Sequence, residues 1–229
     1  LIALILILFA APYASAFTCT FYPDHTEVNI TDMEDTNLTR PCPGLVGAHE
    51  NVPVVILFSS PGGFIDHIAR IVDGIRQNVL DARRVTGIVP TFVINKECSS
   101  ACIPILAGLN RMAGEGLINL IVDPTTEIGF HGCSDLVGGD SHKVYSPDGT
   151  ERYLGYLVQQ GGSRDWIKRH RGLFVSDLLT VYSPLDADLV SLGILSNAHF
   201  ETVAFWRTAF HEGGAALADS DWSKPLTGR

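Results

Sequence analysis

Three short stretches of this chain carry residue types suited to acyl-transfer chemistry. The pair Ser99-Ser100 stands between Cys98 and Cys102, His131 follows the run 127–130, and the turn Ser59-Ser60-Pro61-Gly62-Gly63 lies upstream of both. A serine hydroxyl becomes a nucleophile at neutral pH when a base lies within hydrogen-bond reach, and His131 is the base these stretches offer. Charge developing on an attacked carbonyl oxygen needs N–H donors aimed at it. Paired glycines let a main chain approach a bound group with no Cβ in the way, so the N–H of Gly63 suits one donor. The N–H of Ala101, directly after Ser100, suits the other. Each stretch alone has a plainer role. Pro-Gly-Gly makes a turn, a serine at a helix start makes an N-cap, and a lone histidine at a strand end is solvated. Ser99 fits the cap while Ser100 acts. The order of all three in one segment points to a hydrolytic site.

Elements that end at these residues must position them. Residues 54–58 (VVILF) form a continuous apolar run, the pattern of a strand buried on both faces, and it stops at the glycine turn. Ile65, Ile68, Val72, Ile75 and Val79 recur at spacings of three and four, predicting one apolar helix face. Residues 88–94 predict a second strand. Residues 99–109 predict a helix entered through the Cys-Ser-Ser turn, with Pro104 tolerated in its first turn. Short strands are expected at 117–122 and 127–130. The alternation is an α/β order with crossovers. The polar, glycine-rich stretch 132–149 reads as a binding or lid loop. Helices follow at 151–160 and 164–171, then a short one at 186–192 with Gly193 as its glycine C-cap. The expected organisation is a leader at 1–16, an extended lead-in at 17–50, one α/β domain over 51–200 and a helical tail at 201–229.

Residues 1–10 are an unbroken apolar run, and Ala14-Ser15-Ala16 is a small-x-small cleavage pattern. Together they read as the core and cleavage site of a secretory signal peptide. The run is short of the roughly 20 residues that span a bilayer. The expectation is therefore an exported protein, periplasmic or secreted, with retention of residues 1–16 as an anchor the alternative route to a membrane. A formal net charge of −9 argues against nucleic acid as a partner. Export favours disulfides among the five cysteines. Cys19 with Cys42 would staple the lead-in, and Cys98 with Cys102 would lock the serine turn. Cys98 and Cys102 with His131 and Cys133 also fit a zinc spacing loosely; the reading adopted has no metal and no cofactor.

The same residues carry a family resemblance. Ser60-Pro61-Gly62-Gly63 matches the Ser-Pro-Gly-Gly turn of the Clp protease proteolytic subunit. Cys98-Ser99-Ser100-Ala101-Cys102, followed by Leu106-Ala107-Gly108, resembles the Cys-x-Ser-Ala-Cys form of signal-bearing Clp-like proteins. Ile128-Gly129-Phe130-His131 matches the strand that delivers the family's histidine, and Ser183-Pro184-Leu185-Asp186-Ala187 leading to Leu192-Gly193-Ile194 is similar to its late helix. Residues 54–194 thus resemble the Clp/crotonase superfamily. The resemblance implies a single domain built as a spiral of ββα units, with Ser100 as nucleophile, His131 as general base, and the amides of Gly63 and Ala101 as oxyanion hole. It implies a peptide or protein substrate and self-association into a homo-oligomer. It places the third catalytic member near Leu179; Asp177 is the nearest carboxylate, with Asp186, Asp188 or a backbone carbonyl as alternatives. Relatives with a Ser–Lys dyad make Lys143 a rival base, less suited because a lysine must be desolvated to lose its proton. The implied activity is that of a serine endopeptidase. A non-catalytic Clp-like binding or assembly module and a crotonase-type acyl-CoA enzyme are the alternatives.

Overall fold

Two short strands, β1 (Phe17–Phe21) and β2 (Thr26–Ile30), precede the apolar run, which forms β3 (Val54–Ser60). The structure, a computed structural model, describes residues 17–21, 26–30, 54–63, 65–87, 89–137 and 142–202. The expected leader, the Cys19–Cys42 pairing and the C-terminal tail beyond residue 202 therefore lie outside the described residues. β2 pairs with β1 antiparallel and with β3 parallel, so the sheet begins well before the apolar run, in a stretch whose polar residues read as a lead-in.

After the glycine turn, a single 3-10 turn at Ile65–His67 leads into α1 (Ile68–Thr86). Its buried face is the predicted one: Ile68, Val72, Ile75 and Val79 are all in the core. Gly87 closes the helix at φ 72°, and its N–H caps the carbonyl of Arg83. β4 (Thr91–Ser99) pairs parallel with β3. It runs further than expected, because Lys96 takes a φ of 63° and the strand bends there instead of stopping. Residues 91–94 of β4 pair with β5 (Asn119–Val122), whereas residues 97–99 pair with β6 (Glu127–Phe130), both in parallel. Between them lies α2 (Cys102–Gly114), whose residues 102–110 are all buried. Pro104 falls in its first turn, as anticipated, where the missing N–H breaks no helical bond.

The stretch expected to be a lid loop after His131 is instead partly regular. β7 (Ser134–Val137) and β8 (His142–Tyr145) form a two-stranded antiparallel sheet of their own. Ser146 then caps α3 (Pro147–Gln159) by accepting from the N–H of Gly149, and Pro147 occupies the first helical turn. α4 (Arg164–Arg169), capped by Ser163, runs into a 3-10 turn at Arg171–Phe174. β9 (Thr180–Tyr182) pairs antiparallel with β6, α5 (Ala187–Val190) follows, and β10 (His199–Phe200) pairs parallel with β5. Gly193 is left-handed at φ 85° but lies beyond the C-cap, which is Ser191.

The fold class is thus α/β: a mostly parallel eight-stranded sheet in the order β1-β2-β3-β4-β5-β10, with β6 and β9 branching from the second half of β4. α2 packs against α1, α3 and strands β4, β5 and β6, and Phe58, Ile94, Leu106, Ile128 and Phe130 are all fully buried in one continuous core. Among the described residues no helix is long and apolar enough to cross a membrane.

Candidate active site

The register of three parallel strands sets the ends that lead to the glycine turn, Ser100 and His131 side by side. Ser60 of β3 lies opposite Cys98 of β4, and Ser99 of β4 lies opposite Gly129 of β6. The chain leaving each strand therefore presents, in neighbouring positions, Gly62-Gly63, Ser100 and His131. Carboxyl ends of parallel strands in an α/β sheet are where ligand sites form, because the connecting loops diverge there.

Ser100 occupies a strand-to-helix elbow. Its φ is 54°, one of two positive values among non-glycine residues described. A left-handed serine costs roughly 1–2 kcal/mol. The N–H of Ser100 donates to the carbonyl of Gly129 at 2.9 Å, and its carbonyl accepts from Ile103 at 3.0 Å. The elbow is closed covalently by a disulfide between Cys98 and Cys102, whose Cα atoms are 5.3 Å apart. The bond consumes both thiolates that the zinc arrangement would have used. Cys133 is a free, buried cysteine, and burial pushes its thiol up to about 11. A metal set drawing on all three cysteines is thereby replaced by a covalent clasp.

The two serines have separated fates. Ser100 is half-buried and reachable, whereas Ser99 is buried and its Oγ has no hydrogen-bond partner among the described residues. Ser99 is the last residue of β4 and does not cap α2; the N-cap position falls to Ala101, with no side-chain cap. The N-cap role expected of Ser99 fails because the strand continues through it.

The glycine turn touches the elbow directly. Gly62 has a φ of 119°, and a Cβ placed on it would sit 2.6 Å from Ser100 Cβ and 3.1 Å from Ser100 Oγ. Only glycine permits that approach. The hydroxyl of Ser60 holds the turn, accepting from the Gly62 N–H at 3.1 Å and donating to the Gly62 carbonyl at 3.2 Å. Neither the Gly63 nor the Ala101 N–H donates to another group among the described residues. The Ala101 N–H is thus left at the positive end of α2, directly after Ser100, and the Gly63 N–H directly after Gly62.

His131 is half-buried and anchored on both sides. Before it, Phe130 is fully buried, with its ring 5.4 Å from that of Trp166 and 6.1 Å from that of Phe174. After it, the N–H of Gly132 donates to the Ser176 carbonyl at 2.6 Å. A Cβ on Gly132 would lie 2.6 Å from the Phe174 carbonyl and 2.8 Å from that of Ser176, so the loop at 174–176 lies flat against it. Nδ1 of His131 is 2.5 Å from the Gly132 carbonyl oxygen. A carbonyl only accepts, so Nδ1 carries the proton and Nε2 of the neutral ring keeps its lone pair.

The candidate acids are placed less favourably. Asp177 directly follows Ser176, so its backbone starts beside Gly132, but its exposed side chain makes no hydrogen bond or ion pair among the described residues. Asp186 accepts from the Asp188 N–H at 2.8 Å and caps α5. Asp188 pairs with His170 Nε2 at 2.6 Å, and His170 in turn stacks on Trp166 at 4.1 Å. Leu179, where the resemblance placed the third member, packs its Cδ1 against the position that a Cβ on Gly129 would take, alongside Ser99. The group behind His131 is therefore the Gly132 carbonyl, one of the alternatives open from sequence. The side chain of Lys143 is outside the described residues.

No family model matches the sequence, and no curated protein matches it. Among solved structures, the chain is similar to a mutant of the 1510-N membrane-bound stomatin-specific protease, with 16% identity over 79% of this chain and 82% of that one, at a TM-score of 0.49. The same protease in complex with a substrate peptide shows 16% identity, covers 88% of this chain and 83% of that one, and has a TM-score of 0.47. A ClpP1 mutant from Listeria monocytogenes shows 15% identity over 76% of this chain and 91% of that one, with a TM-score of 0.42.

Proposed function

We propose that this chain is a serine peptidase whose working pair is Ser100 and His131. The observation that carries the reading is the contact between the two turns: Gly62 lies so close to Ser100 that a Cβ would not fit between them. We read the amides of Gly63 and Ala101, which directly follow Gly62 and Ser100 in the chain, as the donors on either side of the hydroxyl. Ser100 Oγ attacks the carbonyl carbon of a peptide bond while His131 Nε2 takes its proton. The oxygen that becomes negative faces the two amides, which need no reorganisation to receive it. Collapse of the tetrahedral adduct breaks the C–N bond, and His131 returns the proton to the leaving amine. Water then attacks the acyl-serine by the same route and frees Ser100. The Gly132 carbonyl holds the ring in the required tautomer, and Asp177 is the carboxylate that the adjoining loop offers in support.

Labelling with a fluorophosphonate probe tests this. Wild type is expected to label on Ser100 and to cleave an unstructured protein substrate, with both activities lost in Ser100→Ala and His131→Ala. Absence of wild-type labelling, or equal labelling of Ser100→Ala, would leave a binding module with inherited geometry. The resemblance and the apolar leader support an exported enzyme that acts as a homo-oligomer; size measurement and fractionation of the native source check both.

A further inference from the structure

α3 and α4 line an open groove of about 550 Å³, bounded by Leu154, Gly155, Val158, Ile167 and four charged residues. Its apolar atoms are recessed, since Leu154 and Ile167 are only 4% and 7% exposed. Gly155 lies in the interior of α3, where glycine weakens a helix relative to alanine. No packing requirement explains it, because a Cβ built there meets nothing within 4 Å. The missing side chain leaves the groove open.

Three cations, Arg164, Lys168 and Arg171, line the groove together with Glu151. Arg171 is ion-paired with Glu151. Arg164 and Lys168 make no hydrogen bond or ion pair among the described residues. They stand four apart on α4, an arrangement in which like charges destabilise a helix. Arg164, Lys168, Arg169 and Arg171 are four of the 16 Lys and Arg residues of a chain whose net charge is −9. A local excess of unanswered positive charge beside a recessed apolar floor calls for an anionic guest that brings apolar groups of its own.

We propose that this groove docks an acidic polypeptide segment in which carboxylates alternate with aliphatic side chains. Four residues of α4 advance about 6 Å along its axis, and alternate residues of an extended peptide are about 6.6–6.8 Å apart. Carboxylates two apart on one backbone can therefore answer Arg164 and Lys168 together, while the intervening side chains reach Leu154, Val158 and the gap at Gly155. A membrane surface is matched less well, since insertion needs apolar side chains that protrude. The lone carboxylate of a fatty acid would leave one cation unanswered. None of these residues belongs to the Ser100–His131 site, so the groove stands independently of the peptidase reading.

Fluorescence anisotropy of a short labelled peptide of alternating Glu and Leu, titrated with the full chain, tests the proposal. Saturable binding is expected, falling steeply with salt and unchanged in Ser100→Ala. Filling the groove with Gly155→Leu is expected to weaken it about tenfold or more. The double variant Arg164→Glu/Lys168→Glu, at exposed positions that leave packing intact, is expected to do the same and carries the test should Gly155→Leu fold poorly. The proposal is overturned by absent saturable binding, by binding that the charge reversal leaves unchanged, or by equal affinity for a Lys-Leu peptide. Binding of anionic vesicles without binding of the peptide would also overturn it and assign these cations to a membrane.

Discussion

Replacing Gly62 by alanine tests the contact on which the site depends, and Gly87 supplies its control. Both glycines have positive φ, 119° and 72°. At Gly87 a Cβ meets nothing within 4 Å, so Gly87→Ala bears only the left-handed backbone penalty, about 1–2 kcal/mol. At Gly62 the same atom would be 2.6 Å from Ser100 Cβ and 3.1 Å from the Ser99 carbonyl. One of those neighbours is main chain and the other is held in a disulfide-closed elbow, so neither yields easily. Overpacking of this kind costs about 1–3 kcal/mol, and a φ outside the left-handed well costs about 1–3 kcal/mol more. Gly62→Ala should therefore lose roughly 2–6 kcal/mol in urea unfolding. If the turn moves aside to relieve the contact, the Gly63 N–H moves with it. Loss of one oxyanion donor lowers turnover on the order of 10²–10³-fold, so fluorophosphonate labelling of the folded fraction should fall by a similar factor while Gly87→Ala labels normally. Equal stability loss in the two variants, together with wild-type labelling of Gly62→Ala, would show that the turn and the elbow do not meet.

Three further outcomes follow from the geometry. Reducing the Cys98–Cys102 bond, or replacing both cysteines by serine, should cost about 2 kcal/mol from loop closure across a separation of four, read as a lower urea midpoint, and should slow labelling of Ser100 as the elbow relaxes. His131→Ala should abolish labelling, whereas Asp177→Asn should lower it less than about tenfold, since the Gly132 carbonyl already holds Nδ1; a loss near the ~10⁴-fold effect of removing a working triad acid would instead make Asp177 the orienting group. Burial holds the Cys133 thiol at about 11, so between roughly pH 9 and 11 the native chain keeps a proton that the unfolded chain has lost. Stability should then fall as pH rises through that window, by on the order of 3 kcal/mol at full extent; Cys133→Ala should show a flatter slope, and identical slopes would place the thiol in contact with solvent.

Much of this arrangement was legible because strong local signals coincide with it. Residues 54–58 carry an uninterrupted apolar run into β3, and Ile68, Val72, Ile75 and Val79 give α1 its buried face. β6 was readable to the residue because its four positions are bounded by turn residues on one side and by His131-Gly132 on the other. The missed elements lack such signals. β4 passes through Lys96 and Glu97, which interrupt its apolar pattern, and its bend at Lys96 is a tertiary choice between two partner strands. β7 and β8 lie in a stretch rich in polar residues and glycine, where pairing with each other carries no apolar periodicity to announce it. β1 and β2 add to a sheet edge through main-chain bonds that side-chain periodicity does not report.

The third member of the site shows where reading by residue type runs out. Asp177, Asp186 and Asp188 are equivalent as sequence symbols, yet Asp186 caps a helix, Asp188 pairs with His170 and Asp177 extends from a loop with no partner among the described residues. Which of them faces His131 depends on the path of residues 174–179 across Gly132, and that path is set by contacts distant in sequence: Tyr145 donating to the Phe174 carbonyl at 2.9 Å, and Gly132 donating to that of Ser176. The glycines, by contrast, betray the geometry in advance. Gly62 excludes a Cβ because of Ser100, Gly129 because of Ser99, and Gly132 because of the 174–176 loop. Each marks a point where another segment comes too close for a Cβ: the Ser100 side chain and Ser99 carbonyl at Gly62, the Ser99 and Leu179 side chains at Gly129, and the Phe174 and Ser176 carbonyls at Gly132. A site built in this way can orient its base with a carbonyl, because the carbonyl's position is fixed by the same close contacts; a carboxylate on an exposed loop would have to be ordered separately, at a cost in side-chain entropy that the Gly132 carbonyl does not incur.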